Sequence, residues 1–172
     1  VIGENPVQSE ADQHRATHLL EGLDFLVVQD IFLTETAQRA DVVFPAAAGA
    51  FESDGTVTNS ERRVQRVRKT LNPPGEARTD LDIIYGLARV MGHDWSADPE
   101  TVWNELRTLS PPHTGMSYRR LEELNGIPWP CYDENHPGEL FLHGRLWERP
   151  VGGTRAPFSI VKHALPLEEL SD

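Results

Sequence analysis

The sequence predicts an α/β protein, a three-layer parallel sheet with flanking helices, followed by a helical pair and a β-hairpin extension. Two apolar runs of strand length, residues 25–28 and 42–44, are typical of strands buried on both faces of a parallel sheet. Helical signals lie before, between and after these runs, and this alternation favours parallel strands joined by crossover helices. The 172 residues are expected to divide into a core at 1–95, a helical extension at 96–130 and a hairpin or linker at 131–172.

In the first half of the chain, local capping signals define two helices. Ser9 and Asp12 form a capping-box-like start for a helix that ends where Gly22 begins. Thr34 can cap a shorter helix between the two strands. The leucines expected to dock the first helix on the sheet are Leu19, Leu20 and Leu23.

After the second strand, residues 56–69 are β-rich but polar, which favours a strand or hairpin at a sheet edge. Thr79 then caps an amphipathic helix that ends near Gly92. The apolar stripe of this helix comprises Leu81, Ile84, Leu87, Ala88 and Met91. This stripe is expected to face the core.

Two further helices are predicted at residues 101–109 and 118–124, separated by a proline-containing linker. Beyond residue 127 the composition shifts to proline, glycine and aromatic residues. Residues 140–143 and 158–161 are expected to form the strands of the hairpin.

Composition excludes several classes of function. The formal net charge of −11 argues against nucleic-acid or anionic-membrane binding, and no apolar run reaches the length of a membrane span. Cys131 is the only cysteine, so the chain has no internal disulfide and no cysteine set for an iron–sulfur cluster. A reducing, cytoplasmic setting fits. The chain opens on Val1 without an initiator methionine, and we interpret it as a piece of a longer polypeptide.

Polar side chains follow the first apolar run directly, at Gln29 and Asp30. In open α/β sheets, ligands bind beyond the carboxyl ends of the strands. A carboxylate there can accept two hydrogen bonds from the edge of a guanine, or bind ribose hydroxyls. The alternative is that Asp30 only caps a loop.

The motifs QDIFLTETAQRADVVFPAAA and ESDGTVTNSERRVQ, at residues 29–48 and 52–65, resemble the third domain of molybdopterin-guanine-dinucleotide oxidoreductases. The likeness is closest to the catalytic (alpha) subunit of formate dehydrogenase. Similar runs occur at residues 3–6, 74–80 and 129–131, so the resemblance extends over nearly the whole chain.

The resemblance implies that residues 1–95 bind the guanosine end of one pterin dinucleotide. The implied cofactor-binding residues are Asn5, Gln29, Asp30, Glu52, Ser53 and Asp80. Asp80 has an alternative role, since a carboxylate in the first turn favours the helix dipole without any ligand. Related enzymes often carry Lys where Ser53 stands, so a direct ionic contact with phosphate at this position is in doubt.

For the parent enzyme, the resemblance implies oxidation of formate to carbon dioxide at molybdenum or tungsten held by two pterin guanine dinucleotides. It also implies a 4Fe-4S cluster in an N-terminal part outside this chain, electron-transfer subunits as partners, and no catalytic residue within these residues. A C-terminal domain would follow the hairpin, and the isolated piece would be inactive. Alternatives are a nitrate reductase of the same family, an iron–sulfur scaffold subunit of an NADH dehydrogenase that holds no pterin, and a stand-alone nucleotide-binding module.

Three other features of the sequence are candidate sites. The basic stretch at residues 62–69 could balance cofactor phosphates, line an interdomain seam or be a solvated edge, and an interdomain role is favoured. His14 and His18 have a spacing that can bind zinc, but no third ligand is near in sequence. Cys131 is expected to be structural, because nothing near it in sequence would lower a thiol pKa.

Overall fold

A computed structural model of the protein describes residues 1–142, which form a mixed α/β fold with two small sheets and several helices. The described residues divide into two compact units. The first contains Val1–Asp54 and Val67–Pro99, and the second contains Gly55–Arg66 and residues 100–142. The three-part division expected from the sequence stays a prediction.

The first unit is built on two parallel strands, β1 (Val27–Asp30) and β2 (Val42–Pro45), which pair with Val27 opposite Val42. Single-residue parallel bridges extend this sheet on both sides, from Ile2 to Gln29 and from Ala46 to Arg78. Because β1 begins two residues later than predicted, Gln29 and Asp30 are its last residues rather than the residues after it. Phe25, predicted to open the strand, is 64% exposed.

The helices before β2 are short. The helix α1 (Pro6–Ser9) was not predicted, and α2 (Gln13–Glu21) follows it. The Asp12 side chain caps α2 by accepting a hydrogen bond from the Arg15 amide at 2.9 Å, so Ser9 is not the cap. A 3-10 turn at Ala37–Arg39 follows β1, and the Thr34 hydroxyl accepts the Ala37 amide at 3.1 Å, as expected of a cap.

The small core of the first unit contains Leu26, Val28 and Ala37, with Leu20 and Ala40 packed against it. Leu20 docks α2 as predicted. Leu19 and Leu23 are exposed, so the prediction that they dock on the sheet was wrong for both.

The helix α3 (Asp80–Val90) begins where predicted, because the Thr79 hydroxyl accepts the Asp82 amide at 3.1 Å. Its predicted apolar stripe does not face the core. Ala88 is buried, whereas Ile84, Leu87 and Met91 are exposed.

The second unit contains a three-stranded sheet in the order β3 (Gly55–Thr58), β4 (Arg63–Val67) and β5 (Ile127–Pro128), with β4 and β5 antiparallel. The hairpin of β3 and β4 agrees with the prediction for residues 56–69. The sequence predicted an edge position for this hairpin, and that was wrong for β4. The strand β4 lies in the middle of the sheet, because it pairs with β3 on one side and with β5 on the other.

The helices α4 (Pro99–Leu109) and α5 (Tyr118–Glu123) correspond to the predicted helical pair. They enclose the larger core of the molecule, and Trp103 donates from its indole nitrogen to the Met116 carbonyl at 2.6 Å. The buried residues of this core are Val64, Trp103, Met116, Tyr118, Leu121, Ile127 and Cys131.

The remaining predictions concern the sheet as a whole and the end of the chain. Residues 140–142 form a bend and a turn rather than a strand, and the rest of the predicted hairpin lies outside the described residues. The described parallel sheet has two strands, so the three-layer arrangement stays a prediction. Within residues 1–142, no helix is long and apolar enough to cross a bilayer.

Candidate functional site

The structure joins Gln29 and Asp80, two of the residues singled out in the sequence. The Gln29 amide nitrogen Nε2 donates to Asp80 Oδ1 at 2.5 Å, across 51 residues of sequence. Gln29 lies in β1 next to the strand's last residue. Its backbone is fixed by the sheet and its side chain is only 4% exposed. Asp80 is held by the first turn of α3. One carboxylate oxygen is therefore oriented by a buried amide, which leaves Oδ2 to accept from a ligand.

Asp30 follows Gln29 as the last residue of β1 and is 9% exposed. Its Oδ1 accepts the Phe32 amide at 3.0 Å, a local turn contact. One carboxylate oxygen of Asp30 therefore caps the loop, as the alternative interpretation predicted. Its role toward a cofactor stays a prediction.

A cavity of about 330 Å³ opens at Asp80 within the first unit. Ser53 also lines it, so two of the six predicted cofactor-binding residues face one cavity, and Gln29 contacts it through Asp80. The full lining is Ala47, Ser53, Asp54, Lys69, Thr79, Asp80, Leu81, Asp82, Ala97 and Pro99.

The Glu52–Ser53 segment is ordered by its own hydrogen bonds. Glu52 Oε2 accepts the Ala48 amide at 2.8 Å, and the Ser53 hydroxyl donates to the Gly49 carbonyl at 2.6 Å. Glu52 therefore shapes the loop, while Ser53 retains its lone pairs at the cavity. Because its proton is already donated, Ser53 could contact a phosphate as a donor only by giving up the bond to Gly49.

The side chain of Asn5 forms hydrogen bonds within the fold, away from the cavity. Its Oδ1 accepts from both the amide and the hydroxyl of Thr36, at 3.1 and 2.7 Å, and Thr36 is fully buried. Its Nδ2 donates to Glu35 at 2.7 Å, and this hydrogen bond lowers the pKa of the Glu35 carboxyl. Asn5 does not line the cavity, and its role toward a cofactor stays a prediction.

The basic stretch is largely used inside the second unit. Arg62 donates to the carbonyls of Trp129 and Leu140, and Arg63 donates to Gly126 at 3.0 Å. Arg66 bonds the Gly55 carbonyl at 2.5 Å and lies 3.4 Å over the Tyr118 ring. These guanidinium groups therefore stabilise one unit, a role that the sequence did not indicate.

Lys69, like Asp54 and Asp82, is a charged cavity residue that the sequence did not single out as an individual site. It was grouped with the arginines before it, yet it lines the cavity beside Ser53. The available signal was its position at the end of the β-rich segment 56–69, followed by the break at residues 72–75. No sequence pattern indicates which loop lies opposite.

Two other candidate sites have structural explanations or lack a complete ligand set. Cys131 is fully buried in the core of the second unit, where Arg120 Nη1 lies 3.4 Å from its sulfur. Among residues 1–142, no group of three or more His, Cys, Asp or Glu side chains is arranged to hold a metal ion. His14 and His18 are therefore not part of such a group.

The polar groups that line the cavity include acceptor oxygens as well as one cationic donor, Lys69. A carboxylate oxygen at Asp80 can accept from the ring N–H or exocyclic amine of guanine, which is the donor edge of that base. At the same cavity, the Ser53 oxygen adds an acceptor and the Lys69 ammonium adds a cationic donor.

Comparison with known proteins supplies the family. Residues 1–90 match the family model described as Molybdopterin oxidoreductase. The alpha subunit of F420-dependent formate dehydrogenase from Methanocaldococcus jannaschii is 52% identical over 146 residues, which cover 83% of this chain and 21% of that protein. The alpha subunit of F420-dependent formate dehydrogenase 2 from Methanococcus maripaludis is 45% identical, covering 95% of this chain and 24% of that protein.

More distant proteins match as well. Formate dehydrogenase H of Escherichia coli is 33% identical over the whole of this chain and 24% of its own length. Among solved structures, acetylene hydratase from Pelobacter acetylenicus matches with a TM-score of 0.52 and 27% identity, over 70% of this chain and 17% of that one. The chain spans about a quarter or less of the length of these relatives. With a family model covering more than half of its residues and relatives of this identity, the chain belongs to the molybdopterin oxidoreductase family.

Proposed function

We propose that this chain is part of the catalytic subunit of a formate dehydrogenase and that its first unit holds the guanosine end of a molybdopterin guanine dinucleotide. The observation that supports the proposal most directly is the hydrogen bond from Gln29 to Asp80, because Asp80 lines the cavity. Three relatives named as formate dehydrogenases, at 33% to 52% identity, favour this activity over that of a nitrate reductase or an NADH dehydrogenase scaffold.

Asp80 is the residue we assign to the guanine base. Gln29 orients the carboxylate from a buried position, which lowers the cost of ordering the Asp80 side chain on binding. Asp30 is assigned to the ribose or to a second donor of the base, and Ser53 to the sugar–phosphate side. Asn5 and Glu52 act through the loops that they order, since their side-chain oxygens bond Thr36 and Ala48.

The whole protein would then oxidise formate to carbon dioxide and pass the electrons on through a 4Fe-4S cluster in another part of the polypeptide. The cofactor would be the bis-pterin form with molybdenum or tungsten, and it supplies the site of formate oxidation when bound. The residues of this chain fix the cofactor from its nucleotide end, remote from the metal, and small errors in such positioning are costly.

The rest of the polypeptide and electron-transfer subunits are the proposed partners, in the cytoplasm. We also propose that further strands and helices complete the three-layer sheet around β1 and β2. Parallel bridges at Ile2 and at Arg78 support this, because they extend the two strands on either side.

Substitution of Asp80 by Ala in the full-length enzyme tests the proposal. The variant loses a charge-assisted acceptor, so we expect affinity for guanosine to fall about tenfold or more. The molybdenum and guanine nucleotide content of the purified enzyme should fall with it, as measured by metal analysis and by chromatography of the released nucleotide.

The matched control is Asp24→Asn, which also removes one carboxylate but at an exposed position that does not line the cavity. We expect this variant to retain its cofactor. Unchanged metal and nucleotide content in Asp80→Ala would contradict the assignment of the base to Asp80.

A further inference from the structure

We propose that Lys69 binds the phosphate of the nucleotide whose base is held by Asp80, and that it is the cation of this site in place of Arg62, Arg63 and Arg66. The inference rests on the proposed function. It assigns a binding residue for the anionic part of the ligand, which Asp80 and Gln29 cannot provide.

Lys69 reaches the cavity because its segment is attached to the loop that carries Ser53. The amides of Thr70 and Leu71 both donate to the Phe51 carbonyl, at 2.8 and 3.0 Å. Phe51 directly precedes Glu52 and Ser53. These two backbone hydrogen bonds place Lys69 and Ser53 at the same cavity, although 16 residues separate them in sequence.

The charges around the cavity explain why a cation is needed. Three carboxylates line it, those of Asp54, Asp80 and Asp82, and Lys69 is the one cation among the lining residues of this described part of the chain. A phosphate that entered without a cation would be repelled by all three carboxylates. A ligand with a donor edge and an anionic group can satisfy both kinds of residue at once.

Three arginines of the basic stretch are engaged in the second unit. Arg62, Arg63 and Arg66 donate to backbone carbonyls of the second unit, so moving them to a phosphate would leave those carbonyls unpaired. Within residues 1–142, by contrast, no ion pair joins Lys69 to a carboxylate. Its ammonium can therefore contact phosphate without breaking an ion pair that the fold uses.

The test compares two probes, guanosine and GDP, binding to the full-length polypeptide produced without its cofactor. Calorimetry in EDTA excludes metal ions that the three carboxylates could bind. We expect wild-type protein to bind GDP more tightly than guanosine. In Lys69→Met, GDP affinity should fall about five- to tenfold while guanosine affinity stays unchanged, because only GDP has a phosphate for the ammonium to contact.

Salt provides a second measurement. The contact joins opposite charges at an exposed site, so raising the ionic strength should weaken GDP binding more in the wild type than in Lys69→Met. Guanosine binding should respond equally in both.

Three further variants separate charge from structure. Lys69→Arg keeps the charge and should retain most of the GDP affinity. Arg89→Met removes one exposed cation of the same unit that does not line the cavity, and it should bind as wild type does. Adding Ser53→Lys to Lys69→Met returns a cation to the cavity and should restore GDP affinity.

The outcomes distinguish this inference from the function on which it rests. Equal GDP affinity in wild type and Lys69→Met, with guanosine still bound and still sensitive to Asp80→Ala, would overturn the role of Lys69 and leave the base site standing. An equal loss of guanosine and GDP affinity in Lys69→Met would overturn it as well, since it would show a structural effect. A wild-type protein that binds neither probe would overturn both proposals.

Discussion

Asn5 connects two loops of the first unit through a single side chain. Its Oδ1 accepts two hydrogen bonds from Thr36, a residue with no exposed surface. A buried amide and hydroxyl that lose their acceptor retain the full cost of desolvation. The effect of Asn5 on any bound nucleotide would therefore be indirect, through the loop after β1.

We predict that Asn5→Ala lowers the free energy of unfolding by about 2 kcal/mol, because it leaves the Thr36 amide and hydroxyl without their acceptor. Urea unfolding followed by circular dichroism measures the change. The control is Gln8→Ala, an exposed neighbour that accepts one hydrogen bond from Asn5 at 3.1 Å. It should cost less than about 0.5 kcal/mol. Equal effects of the two variants would contradict the role assigned to the Thr36 contact.

The second unit depends on a close approach between the α4–α5 connection and the chain after β5. Gly115 lies where the two segments meet, and its amide donates to the Cys131 carbonyl at 2.9 Å. A Cβ placed on Gly115 would overlap the Asp133 carbonyl oxygen and lie 2.7 Å from the Cys131 sulfur. The nearest obstacle is backbone, which cannot rotate away as a flexible side chain would.

We predict that Gly115→Ala destabilises the protein by about 3 kcal/mol or more, since the backbone must shift to admit the methyl group. Gly86→Ala is the matched control, because Gly86 lies in α3 with nothing within 4 Å of an added Cβ. It should stabilise by about 0.5–1 kcal/mol through helix propensity. Thermal and urea unfolding measure both variants, and a mild effect of Gly115→Ala would contradict the close packing described here.

On the scale of the whole molecule, the chain exposes a contiguous apolar segment next to the candidate site. Ile31, Phe32 and Leu33 follow β1 directly and are 52%, 71% and 68% exposed. Consecutive large apolar residues on a surface mark an interaction site more often than single ones do. If the proposed function holds, this segment would contact the rest of the polypeptide.

We predict that the 172-residue chain alone self-associates through this segment at high concentration. The double substitution Phe32→Ser and Leu33→Ser should raise the dissociation constant about tenfold or more, as measured by sedimentation equilibrium. The control double variant, Leu71→Ser and Leu109→Ser, removes two exposed leucines from separate places in the chain. If the control weakens association as much, the exposed segment after β1 is not the interface.

The sequence by itself determined the elements whose causes are local. Asp12 caps α2, Thr79 caps α3, and Gly22 ends α2, because each interaction reaches only three or four residues along the chain. The same holds for the approximate positions of β1 and β2, although β1 begins two residues later than its apolar run. The motifs of residues 29–65 were also sufficient to recognise the family, since a run of specific residues in order needs no coordinates.

Only the tertiary structure decided which residues meet. The bond from Gln29 to Asp80 joins residues 51 positions apart, and Lys69 lines the same cavity as Ser53 although they are 16 positions apart. The exposure of the α3 stripe belongs here too, because an amphipathic pattern indicates a face and not what covers it. Local sequence patterns determine where single turns, helices and strands form, because the interactions that stabilise them lie within a few residues. A binding site depends instead on the packing that brings separate segments together.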